Sequence, residues 1–319
     1  MPRNRIDAHA HYLGGTVAEL FRSGFSLPGG YKIAVRWSAA EALAYMDRQR
    51  IATQILSAPW NVAGTAQDPD FAVTFARSVN EEYAALIDEH PGRFGAFAAV
   101  PGDSPEAMLT EIEYALDTLH LDGVLLNSNT HGQYLGMPFF EPVLAELNRR
   151  QIPVFLHPTH GPHITELSLG RPSSVIEYTF DTTRNVTNAL YRGVFQRHPD
   201  LKLILAHCGG PLPTLGWRIA EHTTMGIGPD DTPIDPGHVT EVLRGLYYDT
   251  ALAGSRNSLL PTLEVTGADH ILFGTDWPAA PEATVVRNIA NLTSFDGFTE
   301  KELHAVERDN ALTLFPRFA

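Results

Sequence analysis

The stretch Arg5-Ile6-Asp7-Ala8-His9-Ala10-His11 organises the reading of the whole chain. It reads as a short buried strand near the amino terminus. On a strand, residues i and i+2 share a face. That places His9 and His11 on one side, with Ala8 and Ala10 on the other. Two imidazoles about 7 Å apart along a strand can converge on one ion, and imidazole suits zinc, iron and other borderline metals. The plain alternative is two surface or core histidines that happen to alternate. The pair alone does not choose.

Seven more strand-like segments follow, separated by helical ones. The strands are expected at 51–57, 93–100, 122–126, 152–157, 201–207, 246–250 and 270–276. Ser38 reads as the cap of a helix to about 48, and Asp68-Pro69 opens a long helix to about 90. Ser104-Pro105-Glu106 starts another, with proline at its first turn. Further helices are expected at 141–150, 173–197, 212–222, 255–266, 282–292 and 299–314. Eight short apolar strands alternating with helices predict a parallel sheet, and at 319 residues they predict an α/β fold of the (β/α)8 type. The alternative is a doubly wound open sheet, but no Gly-x-Gly-x-x-Gly or Walker-type loop follows any strand. No linker, repeat or low-complexity tract divides the chain. We therefore expect one domain over 1–319, with a Gly-rich loop insertion at about 14–37.

Composition limits the function classes. Hydrophobic residues make up 44% of the chain, enough for a sizeable core. With 23 basic and 37 acidic residues the net charge is −14, which argues against nucleic acid and anionic membrane surfaces as partners. An anionic small molecule stays compatible, since a few pocket arginines reverse a local field. The single cysteine, Cys208, allows no intrachain disulfide and fits a reducing, cytoplasmic compartment. No apolar signal segment and no run of about 18 apolar residues is present. Asn185-Val-Thr and Asn291-Leu-Thr match the glycosylation pattern and read as chance matches in such a chain.

In (β/α)8 barrels, chemistry collects at the carboxyl ends of the strands. Here the first strand ends in His9 and His11, the fifth in His157, the sixth in His207 and the eighth in Asp276. A lone histidine at a strand end is usually a polar residue leaving the core. Five metal-competent side chains at one rim are not explained that way. Of the remaining histidines, His90, His120 and His198 sit at helix ends, where a cation complements the macrodipole. His131, His160 and His163 lie in loops on the active-site side, where His160 is a candidate pocket residue. His222, His238, His270 and His304 read as surface or capping residues.

This order of residues, His-x-His on the first strand, His on the fifth and sixth, and Asp on the eighth, closely resembles the amidohydrolase superfamily. The resemblance covers the whole chain. It implies a metal site, in binuclear members bridged by a carbamylated lysine or a glutamate, usually from the fourth strand. Here that strand reads Asp122-Gly-Val-Leu-Leu-Asn127. The only lysines are Lys32, Lys202 and Lys301, none at a strand's carboxyl end. The resemblance then implies one divalent ion, Zn2+ with Mn2+ as the alternative, held by His9, His11, His157 and Asp276. His207 is left to act on water or substrate.

Phe155-Leu-His157-Pro158, Leu205-Ala-His207-Cys-Gly-Gly210 and Phe273-Gly-Thr-Asp276-Trp-Pro278 are similar to the branch holding aminocarboxymuconate semialdehyde decarboxylase and hydroxybenzoate decarboxylases. The segment from Leu135 to Thr159 is most similar to the 6-methylsalicylate type. The expected function is a metal-dependent, non-oxidative decarboxylase of a hydroxybenzoate or muconate-type acid. His207 and Asp276 are the candidates to shuttle the proton. The rival is a hydrolase, a lactonase or amidohydrolase, that activates water at the same residues. Arg218 occupies the position where muconate-semialdehyde decarboxylases place a carboxylate-binding arginine that crosses to the neighbouring subunit. Its bland reading is a surface salt bridge. The resemblance implies a homo-oligomer, a homodimer first and a higher homo-oligomer as the alternative. Arg36 is a looser match to their second arginine. A planar guanidinium meets a carboxylate bidentately. Trp60, Trp277 and Phe180 or Phe139 are candidate walls for a ring, and each is equally readable as a core aromatic.

Overall fold

The computed structural model describes residues 4–24, 37–58, 62–225, 228 and 231–319. Its eight strands are β1 (Arg5–His11), β2 (Ile51–Ser57), β3 (Phe94–Ala98), β4 (Gly123–Asn127), β5 (Pro153–His157), β6 (Lys202–Leu205), β7 (Tyr247–Asp249) and β8 (Ile271–Leu272). All neighbouring pairs are parallel and follow sequence order. The segment after β8 returns to β1, where the Asp276 and Thr275 amides both donate to the His9 carbonyl. An Ala10–Trp277 bridge extends that seam. The result is a (β/α)8 barrel.

Two apolar layers hold it. Inside, Ile6, Ile55, Phe97, Leu125, Phe155 and Leu272 pack with Phe315 and Phe318 from the carboxyl-terminal turn, which plugs the amino-terminal end of the barrel. Outside, the alternate residues (Leu56, Val124, Leu126, Val154 and Leu203 among them) meet the helices. A strand buried on both faces reads as a continuous apolar run, which is why these segments were recognisable.

β1 departs from simple alternation. Asp7 pairs with Gln54 and Ala10 with Leu56, so a step of 10 − 7 = 3 opposes one of 56 − 54 = 2. This one-residue bulge flips the faces. Ile6 and Ala8 join the inner layer and Ala10 the outer one. His9 nevertheless also points inward, its ring 4.9 Å from Phe155. Ala8 therefore does not lie opposite His9 and His11, as strict alternation predicts. Asp7 instead accepts hydrogen bonds from Gln54 Nε2 (2.9 Å) and Thr275 Oγ1 (2.6 Å).

The helices start where their caps predict, with Ser38 before Ala39–Gln49, Asp68 before Pro69–Glu89 and Ser104 before Pro105–Glu113. Four expectations need correction. The stretch 14–37 is not wholly irregular: Gly15–Arg22 is a helix whose Val17 and Ala18 are buried. Glu82 Oε1 anchors it by accepting from the Thr16 amide (2.8 Å) and hydroxyl (2.6 Å). The helix expected over 173–197 is broken into Ser173–Val175, Glu177–Tyr191 and Val194–Arg197, with Gly193 at φ +67° turning the chain. Pro236–Gly245 is a further helix, capped by Asp235. The eighth strand is two residues rather than seven: beyond Leu272 the Phe273 amide donates to the Val306 carbonyl and the Gly274 amide to Thr250 Oγ1, while the Thr275 and Asp276 amides share the His9 carbonyl.

Candidate active site

The carboxyl rim gathers the strand-end histidines around Asp276. The His9 ring lies 5.2 Å from that of His11, 5.1 Å from that of His157 and 5.0 Å from that of His207. His11 Nε2 is 3.0 Å and His9 Nε2 3.5 Å from Asp276 Oδ1. One ligand atom from each of His9, His11, His157 and Asp276 lies within 4.8 Å of the others, all four residues being buried. His207 stands outside this set.

Two local backbone features aim these side chains. His207 and Asp276 have φ of +56° and +61°, a conformation that costs a non-glycine residue about 1–2 kcal/mol. His207 lies two residues past β6 and Asp276 four past β8, and both line the cavity at the barrel mouth. Strain of this kind concentrates at functional sites.

The residue that the sequence reading missed is Asp249, at the end of β7. It is fully buried. Its Oδ2 lies 2.8 Å from His9 Nδ1, and its Oδ1 accepts the amides of His207 (3.1 Å) and Ala251 (2.9 Å). A carboxylate on Nδ1 makes that nitrogen a donor and leaves Nε2 as the ring nitrogen that faces Asp276. Ser57 Oγ lies 3.1 Å from His11 Nδ1, and because its hydroxyl donates to the Ala10 carbonyl at 3.3 Å it is an acceptor for that nitrogen. His207 Nδ1 lies 2.8 Å from the Ala251 carbonyl, which has no hydrogen to give, so Nδ1 is the donor there too.

Electrostatics draw positive charge to this point. Burial opposes charging His9, but the carboxylates of Asp249 and Asp276 overcome it and raise the imidazole to about 10. Burial likewise opposes ionising Asp276, and the His11 and His9 contacts outweigh it, holding the carboxyl well below its usual range. Burial, reinforced by His11 and His9, pushes His157 far down, so its imidazole is neutral. His9 Nε2 and His157 Nδ1 are buried without a hydrogen-bond partner. Three imidazoles and one carboxylate, two of them with an unsatisfied nitrogen, fit a divalent ion of the zinc or manganese kind.

Above the cluster opens a cavity of about 430 Å3, lined by His11, His157, His207 and Asp276 at its base and by Tyr178, Val175, Leu252 and Ser258 on its walls. Its size suits one substituted ring. The other sequence candidates are spread more widely. His160 borders the cavity through Tyr178, whose hydroxyl is 3.3 Å from His160 Nδ1. Trp277 stacks on Tyr45 at 4.4 Å beneath the rim and does not line the cavity. Phe139 packs against the outer core, and Phe180 is 45% exposed. Arg218 lies on the exposed face of Leu212–His222, away from the cavity of its own chain. Arg36 and Trp60 lie outside the described residues.

The chain is 34% identical to a protein named Decarboxylase yanB from Aspergillus niger, over 99% of this chain and 88% of that one. It is 33% identical to 6-methylsalicylic acid decarboxylase of Penicillium expansum, over 98% and 96%. In fold it is similar to dihydroxybenzoic acid decarboxylase of Polaromonas sp. JS666, solved with bound manganese and the inhibitor 2-nitroresorcinol. That match has a TM-score of 0.82 and 23% identity and covers 98% and 97% of the two chains. The amidohydrolase family model matches residues 6–317, a span that runs through every residue of the cluster from His9 to Asp276, and the chain belongs to that family.

Proposed function

We propose that the chain is a metal-dependent, non-oxidative carboxy-lyase. Its substrates are hydroxybenzoate-type acids of the salicylate and 6-methylsalicylate class, rather than muconate-type acids, and carbon dioxide is released. The observation that carries this reading is the buried His9–His11–His157–Asp276 cluster at the floor of a ring-sized cavity, in a chain alike over its whole length to decarboxylases. One domain, 1–319, supplies the site. The four residues would hold one ion, Zn2+ or, as in the Polaromonas relative, Mn2+. When bound, the ion supplies a Lewis acid that stabilises negative charge on substrate oxygens as carbon dioxide leaves.

The chain's own residues handle the proton. The ring carbon that carries the carboxylate must gain a proton, and the electron pair of the breaking carbon–carbon bond then returns to the ring. Asp276, held ionised by His11 and His9, is a poor acid. His207 lines the cavity, and its Nδ1 is committed to the Ala251 carbonyl. Its Nε2 is therefore the atom assigned to carry the proton. Asp249 fixes the His207 amide and the His9 ring together.

The test is to incubate the full-length protein, loaded with Zn2+ or Mn2+, with salicylate-type acids and separately with aryl lactones. We expect carbon dioxide from the acids. Lactone turnover with no carbon dioxide from any acid would replace this reading with the hydrolase one.

The proposal includes a homodimer in which Arg218 reaches the substrate carboxylate of the partner. The support is its exposure beside Trp217, which is 78% exposed. Dilution to monomer should then abolish activity without unfolding, and full activity in a proven monomer would rule the crossing out. No described helix is long and apolar enough to cross a membrane. The single buried cysteine supports a cytoplasmic setting.

A further inference from the structure

We propose that Tyr178 is a substrate contact that sets specificity on the cavity wall, and that Asp181 is the positioning residue that holds it there. This rests on the reading of the cavity as a site for an aromatic acid. Tyr178 stands on the first turn of Glu177–Tyr191, is 7% exposed, and lines the same cavity as His157, His207 and Asp276. Its hydroxyl meets His160 Nδ1 at 3.3 Å, with the two rings perpendicular at 5.2 Å.

Three residues along, on the same helix face, Asp181 is almost fully buried. It accepts four hydrogen bonds, from Ser128 Oγ (2.5 Å), Asn129 Nδ2 (2.9 Å), Tyr134 Oη (2.6 Å) and Arg184 Nη1 (2.9 Å). Two of these donors reach on into the loop after β5. Ser128 Oγ accepts the Thr159 amide at 3.0 Å, and Asn129 Nδ2 also donates to the His160 carbonyl at 3.0 Å. Gly161 completes the fit, since a Cβ there would lie 2.6 Å from Asp181 Oδ1. One carboxylate therefore fixes both members of the Tyr178–His160 pair, the phenol through its helix and the imidazole through its loop.

A buried charge so fully satisfied is retained at considerable desolvation cost. The proton chemistry assigned above makes no use of it. What it orders is the cavity wall. A phenol both donates and accepts, so a wall phenol held in one place selects a ligand that presents an oxygen opposite it. On a ring that oxygen is a carboxylate or hydroxyl substituent.

The experiment is a double-mutant cycle on the metal-loaded full-length protein, with salicylate binding measured by calorimetry and 6-methylsalicylate turnover measured alongside. Tyr178→Phe should weaken salicylate and raise KM about tenfold, the size of one hydrogen bond to a charged ligand. It should leave kcat within about threefold, and metal content and melting temperature unchanged. Asp181→Asn should cost a similar factor, and the double variant little more than either single one, because both act through the same phenol. Ser128→Ala, which removes one of four donors, serves as the milder variant if Asp181→Asn does not fold. Salicylate affinity within twofold of wild type in Tyr178→Phe, or losses that multiply in the double variant, would overturn the proposal. So would a wild type that binds no salicylate. A wild type that binds salicylate through Tyr178 yet releases no carbon dioxide overturns the decarboxylase reading and leaves this one standing.

Discussion

Asp249 shows how a single residue governs the others at the site. His9 is a useful ligand only if Nε2 faces Asp276, and that requires Nδ1 to be occupied by an acceptor, here Asp249 Oδ2 at 2.8 Å. Asn has the same shape but offers a single neutral acceptor. Asp249→Asn should weaken metal binding about 10- to 100-fold, the usual cost of losing a carboxylate behind a ligating histidine. Competition with a chelator of known affinity measures this directly, and unchanged affinity would show that the His9 tautomer is set by something else. The metal-competent residues were legible in the sequence because His9, His11, His157 and Asp276 are few, chemically distinctive and spaced by whole β/α units. Asp249 was not, because an acidic residue ending a three-residue strand has no such signature. Its meaning depends on β7 closing against β1 through β8, which is a tertiary fact.

At the scale of elements, capping residues announced helix starts, while interruptions stayed hidden. Ser38, Asp68 and Ser104 act locally, each side chain bonding an amide two or three residues ahead. The β1 bulge is set instead by how Asp7 is held by Gln54 and Thr275, 47 and 268 residues away. Helix docking through ion pairs is equally invisible to periodicity. Arg150, near the end of Glu141–Arg150, bonds Glu146 within the helix and Asp117 across from it, at 2.5 Å and 2.6 Å. Arg149, and after it Arg150, pull the Glu146 carboxyl down to about 2 despite partial burial. A carboxylate lowered on folding stabilises above its unfolded value near 4.5 and loses that contribution as pH falls toward 2. Glu146→Gln should therefore cost about 1 kcal/mol at pH 7 after solvent screening. The gap to wild type should narrow steadily below pH 4.5. Urea titrations at pH 7 and pH 3.5 check this, and a gap that widens on acidification would contradict it.

The whole molecule separates what folds it from what it does. The amino-terminal end of the barrel is closed by Phe315 and Phe318 against the inner apolar layer, whereas the metal-competent residues sit at the opposite rim. Barrels of this kind concentrate stability at one face and chemistry at the other. Two perturbations should therefore have different signatures. Phe315→Ala empties part of the plug and should cost about 3–5 kcal/mol of stability, while the folded protein keeps its metal stoichiometry and its carbon dioxide release. Removing the ion with a chelator should do the reverse. Activity should vanish while the fold persists, because the inner and outer layers make no use of the ion. The melting temperature should drop only by the binding linkage, about 2.7 kcal/mol for an ion present at a hundredfold over its Kd. Adding Zn2+ or Mn2+ back should restore both. Thermal unfolding paired with elemental analysis distinguishes the two cases. Global unfolding on chelation alone would mean that the ion is structural, and that the four converging side chains hold the barrel closed rather than serving chemistry at its mouth.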